Sequence, residues 1–183
     1  TTSYAYVDTA DVHRVTTTRT AAGSSLSMVS IEERFGTSAT LPYARGRIKF
    51  SQSENGVQTW HSYESTELYG AVVKHTAETR AEGVAVNGQS RRNVEFIASN
   101  GTVLRQEEHV LTSAGEWVLI SSESYTYDHL MRELTRTRGN GRTSCKTWMC
   151  CGLASETDED GVTTLYNYDA AKRLIGTERS ATE

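Results

Sequence analysis

Residues 157–176 read T-D-E-D-G-V-T-T-L-Y-N-Y-D-A-A-K-R-L-I-G, and the alternation inside them decides the fold. Asp160 and Gly161 form a turn dipeptide, because glycine takes positive φ without steric cost and aspartate bonds its own backbone. From 162 to 168 the residues alternate, with Val162, Thr164, Tyr166 and Tyr168 on one face and Thr163, Leu165 and Asn167 on the other. That is the two-residue period of a β-strand. Asp169-Ala170-Ala171-Lys172 reads as the next turn, and Arg173-Leu174-Ile175 opens a returning strand. Two tyrosines on one face bury ring area while each hydroxyl stays free for a polar partner. A single hairpin of this kind cannot bury its face, so the pattern requires neighbours of the same build.

Such neighbours run outward through the chain. Tyr125-Thr126-Tyr127-Asp128, with Arg132 after it, is the clearest second copy; its Tyr127 precedes Tyr168 by 41 residues. That interval is too long for one hairpin and predicts an inserted pair of strands that includes the cysteine segment. Tyr4-Ala5-Tyr6 with Asp8 is a further copy, one residue longer before the aspartate. A degenerate copy places His61 in the first tyrosine's slot, Tyr63 in the second and Glu64 in the aspartate's, with a one-residue slip at Thr59. Strands are expected over 12–20, 26–31, 47–53, 72–79, 84–86, 93–98 and 102–111. Turns are expected at 54–56, 81–83, 87–88, 100–101 and 139–141. The segment 35–46, which holds the only proline, Pro42, reads as an irregular connection. The apolar run Trp117-Val118-Leu119-Ile120 is expected to be the best-buried strand.

The 183 residues suit one domain, 1–183, long enough for a core of its own. Serine and threonine make up about a quarter of them, which with many short Thr/Val/Tyr runs favours strands over helices. The net charge of −4 and the dispersed basic residues argue against a nucleic-acid partner. No window holds eighteen apolar residues, so no membrane insertion is expected. The first residues, T-T-S-Y-A-Y-V, lack an initiator methionine, a basic segment and an apolar segment, and suggest a processed product or a piece of something longer. Cys145, Cys150 and Cys151 cluster without a nearby histidine, which makes a poor metal site. One bridge from Cys145 to Cys150 or Cys151 would suit an exported protein; three reduced, packed thiols fit the spacing equally well.

The stretch at 157–176 resembles the YD repeat of the Rhs/YD-repeat family, whose pattern is roughly D-x-x-G-x-x-T-x-Y-x-Y-D-x-x-G-R-L. Asp158, Gly161, Thr164, Tyr166, Tyr168, Asp169, Arg173 and Leu174 fall in register, and Lys172 replaces the usual glycine before the arginine. The resemblance implies hairpins that wind into a shell or curved wall able to enclose or display other polypeptide. In the structural reading of the residues themselves, the tyrosines stack inward and the aspartates fix turns or pair with Arg132 and Arg173.

A second chemistry competes at the other end. Tyr6-Val7-Asp8-Thr9-Ala10 resembles the apolar-Asp-Thr-Gly signature of aspartic peptidases, with alanine for glycine and with Asp11 following. Two carboxylates must share a proton there, so a chain carrying one motif would act as a homodimer through Asp8, with Asp11 as a neighbour. Other templates are missing: no G-x-S-x-G elbow, no H-E-x-x-H helix and no glycine-rich phosphate cradle follows any strand. His13, His61, His75, His109 and His129 stand singly. Asp158-Glu159-Asp160-Gly161 reads as a solvated turn in preference to a calcium loop.

The expectation is an all-β domain of antiparallel hairpins forming a curved sheet or partial barrel. It would be an exported, non-catalytic scaffold or interaction module at or beyond the cell surface, with a protein or glycoprotein partner. No cofactor and no metal are expected, and exposed strand edges would favour a homodimer. The alternative is an aspartic-type hydrolase acting on extracellular protein or glycoprotein.

Overall fold

The computed structural model describes residues 1–23, 27–80, 89–150 and 152–181. Its strands are β1 (Thr2–Asp8), β2 (Val12–Thr20), β3 (Ser27–Phe35), β4 (Ile48–Gln52), β5 (Gln58–Ser65), β6 (Val73–Arg80) and β7 (Arg91–Ile97). They continue as β8 (Val103–Leu111), β9 (Trp117–Tyr127), β10 (Glu133–Arg138), β11 (Thr143–Met149), β12 (Gly152–Thr157), β13 (Val162–Tyr168) and β14 (Leu174–Ala181). All fourteen lie in one antiparallel sheet in chain order, β1 and β14 forming its two edges. The sheet is curved and open, so the expected all-β architecture of antiparallel hairpins holds. The two clearest tyrosine-aspartate copies stand on the hairpins β9–β10 and β13–β14, and the inserted strand pair between them is β11 and β12, with Cys145 in β11. The expected strand at 84–86, the turns at 81–83 and 87–88, and Leu26 lie outside the described residues.

One loop design closes seven of the hairpins: residues 53–57, 98–102, 112–116, 128–132, 138–142, 158–162 and 169–173. In each, the first N–H donates to the last carbonyl and the fourth N–H donates to the first carbonyl. The fourth residue takes positive φ, and it is glycine in five loops but Met131 (φ 62) and Lys172 (φ 63) in the other two. This is the three-residue hairpin connection, whose left-handed residue matches the twist of the flanking strands.

A sheet one layer thick has little interior, and side-chain pairs across neighbouring strands replace it. The abundant hydroxyls face one another in register. Thr59 meets Thr79, Thr126 meets Thr135, Thr137 meets Thr143, Thr147 meets Ser155 and Thr157 meets Thr163, at 2.7–3.1 Å. Opposite charges do the same, as with Glu78 and Arg92 at 2.8 Å and Glu64 with Lys74 at 3.4 Å. Such pairs each contribute about 0.2–1 kcal/mol. Among the described residues, a compact core forms where the 3-10 turn Leu68–Gly70 folds over the sheet. There Ala71, Val94 and Phe96 are buried with Leu104 beside them, and the Tyr69 ring meets Phe96 edge-on at 4.9 Å.

The apolar run at 117–120 is a correction. Val118, Leu119 and Ile120 are exposed, Leu119 by 46%. Burial of a continuous apolar run presupposes cover on both faces. Here the described strands form one layer, and β10 ends at Arg138 opposite Glu123, so the first half of β9 projects past its neighbour. The irregular connection at 35–46 is instead well seated: it holds the 3-10 turn Pro42–Ala44, and Ala44 is buried.

Candidate functional site

Six strands slip by one residue against the strand before them: β9 does so inside its run, at Ile120, and the other five do so at their start. Those five extra residues are Lys49 in β4, Leu104 in β8, Leu134 in β10, Ala154 in β12 and Ile175 in β14. A β-bulge of this kind disrupts the ladder and re-aims the backbone groups beside it. In four of the five, the carbonyl just before the extra residue accepts from an aromatic on the next strand. Tyr127 Oη reaches Val103 O at 2.8 Å, Trp148 Nε1 reaches Glu133 O at 2.7 Å and Tyr168 Oη reaches Leu153 O at 3.0 Å. Tyr63 Oη reaches Ile48 O over a longer 3.4 Å.

The exceptions follow the same logic. β2 and β6 carry no bulge against the strands before them, and the aromatics near the ends of the strands that follow are Phe35 and Phe96. Phenylalanine has no proton to donate, and there no displaced carbonyl needs one. Gly152 makes room for the joint at β13, since a Cβ there would stand 2.6 Å from Tyr168 Oη. Trp148 sits in a tyrosine's slot, which hid the β11 copy from the sequence pattern.

The aspartate after the tyrosine ties the loop. Asp169 accepts the Arg173 N–H at 2.9 Å and its guanidinium at 2.7 Å. Asp128 holds the Arg132 N–H and guanidinium in the same way, at 2.9 and 2.7 Å, and also takes the Leu130 N–H. The Arg173 backbone and side chain hold the Asp169 carboxyl below the usual carboxylate range. At Asp128 desolvation opposes that effect, and the bonds from Arg132 and Leu130 outweigh it.

A second arrangement crosses the middle of one sheet face as a chain of polar groups. His61 Nδ1 meets His75 Nε2 at 3.0 Å, and His75 Nδ1 meets Glu95 Oε2 at 3.0 Å. Gln106 donates to Glu95 Oε1 at 3.1 Å, and the Tyr125 hydroxyl reaches Gln106 at 3.2 Å and Glu123 at 2.7 Å. The two imidazoles stack at 5.3 Å, and Tyr63 stacks on His75 at 4.6 Å. Glu95, Gln106, Glu108 and Glu123 help line a cleft of about 350 Å³ beside the chain.

With Glu95 ionised, His75 donates through Nδ1, and the His61–His75 contact then holds a single proton between the two nitrogens. Burial, and next the proximity of His75, lower the affinity of His61 for a second proton. The bond from His75 keeps Glu95 ionised below the ordinary range, against the effect of burial. The two imidazoles and the Glu95 carboxylate thus form a run of an acid and two bases across neighbouring strands.

Asp8 and Asp11 flank the turn between β1 and β2. Asp8 is 78% exposed and pairs with His13, its neighbour in register. Asp11 accepts the Ser38 hydroxyl. The two carboxylates thus engage different partners. Cys145 and Cys150 are exposed, and Cys151 lies outside the described residues. No helix among the described residues is long and apolar enough to cross a membrane, and among them no cluster of three metal-ligating side chains forms.

Sequence reading treated His61 and His75 as isolated. Their meeting follows from strand register, which pairs Tyr63 with His75 and His75 with Glu95. A hairpin alignment of 58–65, 73–80 and 91–97 would have exposed it. Neither a family model nor a curated protein matches this chain.

Proposed function

We propose that this chain is a non-catalytic segment of a YD-type wall, exported to the cell surface or beyond, which displays a face to a protein or glycoprotein partner. The observation that supports it is the repeated joint: a bulged carbonyl, an aromatic donor on the next strand and a loop tied by aspartate. It recurs along the sheet where a core would otherwise be required. A joint that fastens each strand to the one before it lets a single layer keep its curvature, which is what a wall needs and a catalytic pocket does not. The polar chain through His61, His75 and Glu95 extends that fastening across the middle strands. Export rests on the likeness of residues 157–176 to the family pattern.

Two measurements test the reading. Antibody against the chain should label intact producing cells or their medium; labelling only after permeabilisation would defeat the surface assignment. Peptide digestion at acid pH should show no cleavage by the parent chain. Cleavage that disappears in Asp8→Asn would establish the hydrolase instead.

A further inference from the structure

The first half of β9 is an open edge in the middle of the sheet. β10 pairs with β9 between Tyr127 and Glu123, and beyond that pairing the Gly139 N–H donates to Ser122 O. Among the described residues no strand lies beside 117–121 on that side, while β8 pairs with the same stretch on the other. The loop bonds fix where the backbone groups of this stretch point. The Thr112 N–H donates to Glu116 O, and the Leu111 N–H turns away from β9 to Ser90 O. By alternation Val118 bonds toward β8, whereas Trp117 and Leu119 turn their N–H and C=O groups to the open side.

Such an edge invites an added strand unless charge or proline blunts it, and residues 117–122 contain neither. Val118, Leu119 and Ile120 are each about half-exposed along it. A second copy of the same edge fits. Laid antiparallel with Val118 opposite Val118, Trp117 of each copy faces Leu119 of the other, so outward groups meet outward groups at both places. A shift of one residue sets outward groups against inward ones, and a shift of two leaves one matched pair in place of two. Residues opposite each other share a face, which lays Trp117 on Leu119 twice on one side and Val118 on Val118 on the other. The loops that come end to end, Ser113-Ala114-Gly115 of one copy and Gly139-Asn140-Gly141 of the other, are built of small residues. Glu116 then approaches a loop flanked by Arg138 and Arg142, of opposite charge.

We propose that two copies of this chain join edge to edge through residues 117–119 of β9, about a twofold axis at Val118. The proposal stands apart from the wall reading, since it needs only the open half of β9. Both copies use the same surface, so the joint closes at two. Its few residues place it among small interfaces that dissociate on dilution.

Sedimentation velocity from about 1 µM to about 1 mM tests it. The parent should pass from monomer to dimer within that range and stop there. Val118 meets its own copy on the axis, so Val118→Lys and Val118→Glu should each move the midpoint about tenfold higher in concentration, by setting like charges face to face. An equimolar mixture of the two should pair again, one copy of each kind. Leu119→Pro removes an outward N–H and spares the bonds within the sheet, so it should abolish the dimer with β circular dichroism intact. A parent that stays monomeric throughout, leaving the edge to some other extended segment, would overturn the proposal, and so would a parent that grows past the dimer. Charge variants that dimerise as the parent does, or that keep its circular dichroism and fail to pair when mixed, would overturn it too. Should those variants unfold, Leu119→Pro decides, since dimers as strong as the parent's in that chain would refute the joint.

Discussion

Replacing Tyr127 by phenylalanine isolates one joint with a single-atom change. Its hydroxyl is half-buried at the end of β9 and donates to Val103 O at 2.8 Å, a carbonyl displaced by the bulge at Leu104. Burial, then the nearby Glu133 carboxylate, raises the phenol above its ordinary range, so the hydroxyl keeps its proton at any physiological pH. The net bond contributes about 0.5–1.5 kcal/mol, and a carbonyl left partly desolvated without a donor adds to the loss, for a total of about 1–2 kcal/mol. In a chain of this length that corresponds to a fall in Tm of about 2–8 °C. Urea denaturation at neutral pH followed by circular dichroism gives the change, with Tyr6→Phe as the control because Tyr6 is exposed and bonds to nothing in its own sheet. Equal stability of Tyr127→Phe and the parent would refute the idea that aromatic donors fasten the strands. A larger loss at Tyr6 than at Tyr127 would refute it more directly.

Further substitutions probe other parts of the build. Gly36→Ala should destabilise by about 1–3 kcal/mol in the same denaturation assay, since its Cβ would fall 2.1 Å from the Ala10 carbonyl oxygen, against backbone that cannot give way. Lys172→Gly should raise stability by about 0.5–1 kcal/mol, because the residue sits at φ 63 in a slot that glycine fills in five sister loops. His61 is held below its ordinary range by burial and by His75, so the unfolded chain takes up its proton first as pH falls through about 6.5. Stability should therefore decline from about pH 7 to 5, and His61→Gln should flatten that decline in urea midpoints. Asp128 and Asp169 have depressed folded values, so their contribution is present above an unfolded value of about 4 and is lost as pH falls through the folded one; Asp169→Asn should reduce the acid-induced loss.

Much of this construction was legible in residues 157–176. Alternation from 162 to 168 located β13, and Asp169 with Arg173 located a loop whose ties the structure contains. What stayed hidden depends on alignment between strands. The copy at β11 escaped because Trp148 supplies an indole N–H where the pattern expects a phenol, and the chemistry asks only for an aromatic donor. The bulges leave no mark in a single strand, since an extra residue such as Ala154 is extra only relative to its neighbour. The contact between His61 and His75 is likewise a product of pairing. Trp117-Val118-Leu119-Ile120 misled for another reason: an apolar run reports a preference for burial, and only the number of layers decides whether burial is on offer.

The strands follow one another in the sheet as they do in the chain, so each is held chiefly by the two beside it. Such an object behaves as a one-dimensional lattice, with a stability that adds up link by link and loosens from its ends. Amide exchange should then be slowest near β7 and β8 and should quicken stepwise toward Thr2 and Ala181. Adding or deleting a whole hairpin in the middle would lengthen or shorten the lattice without changing its rule, which gives duplication of a short coding segment a direct route to a wider sheet.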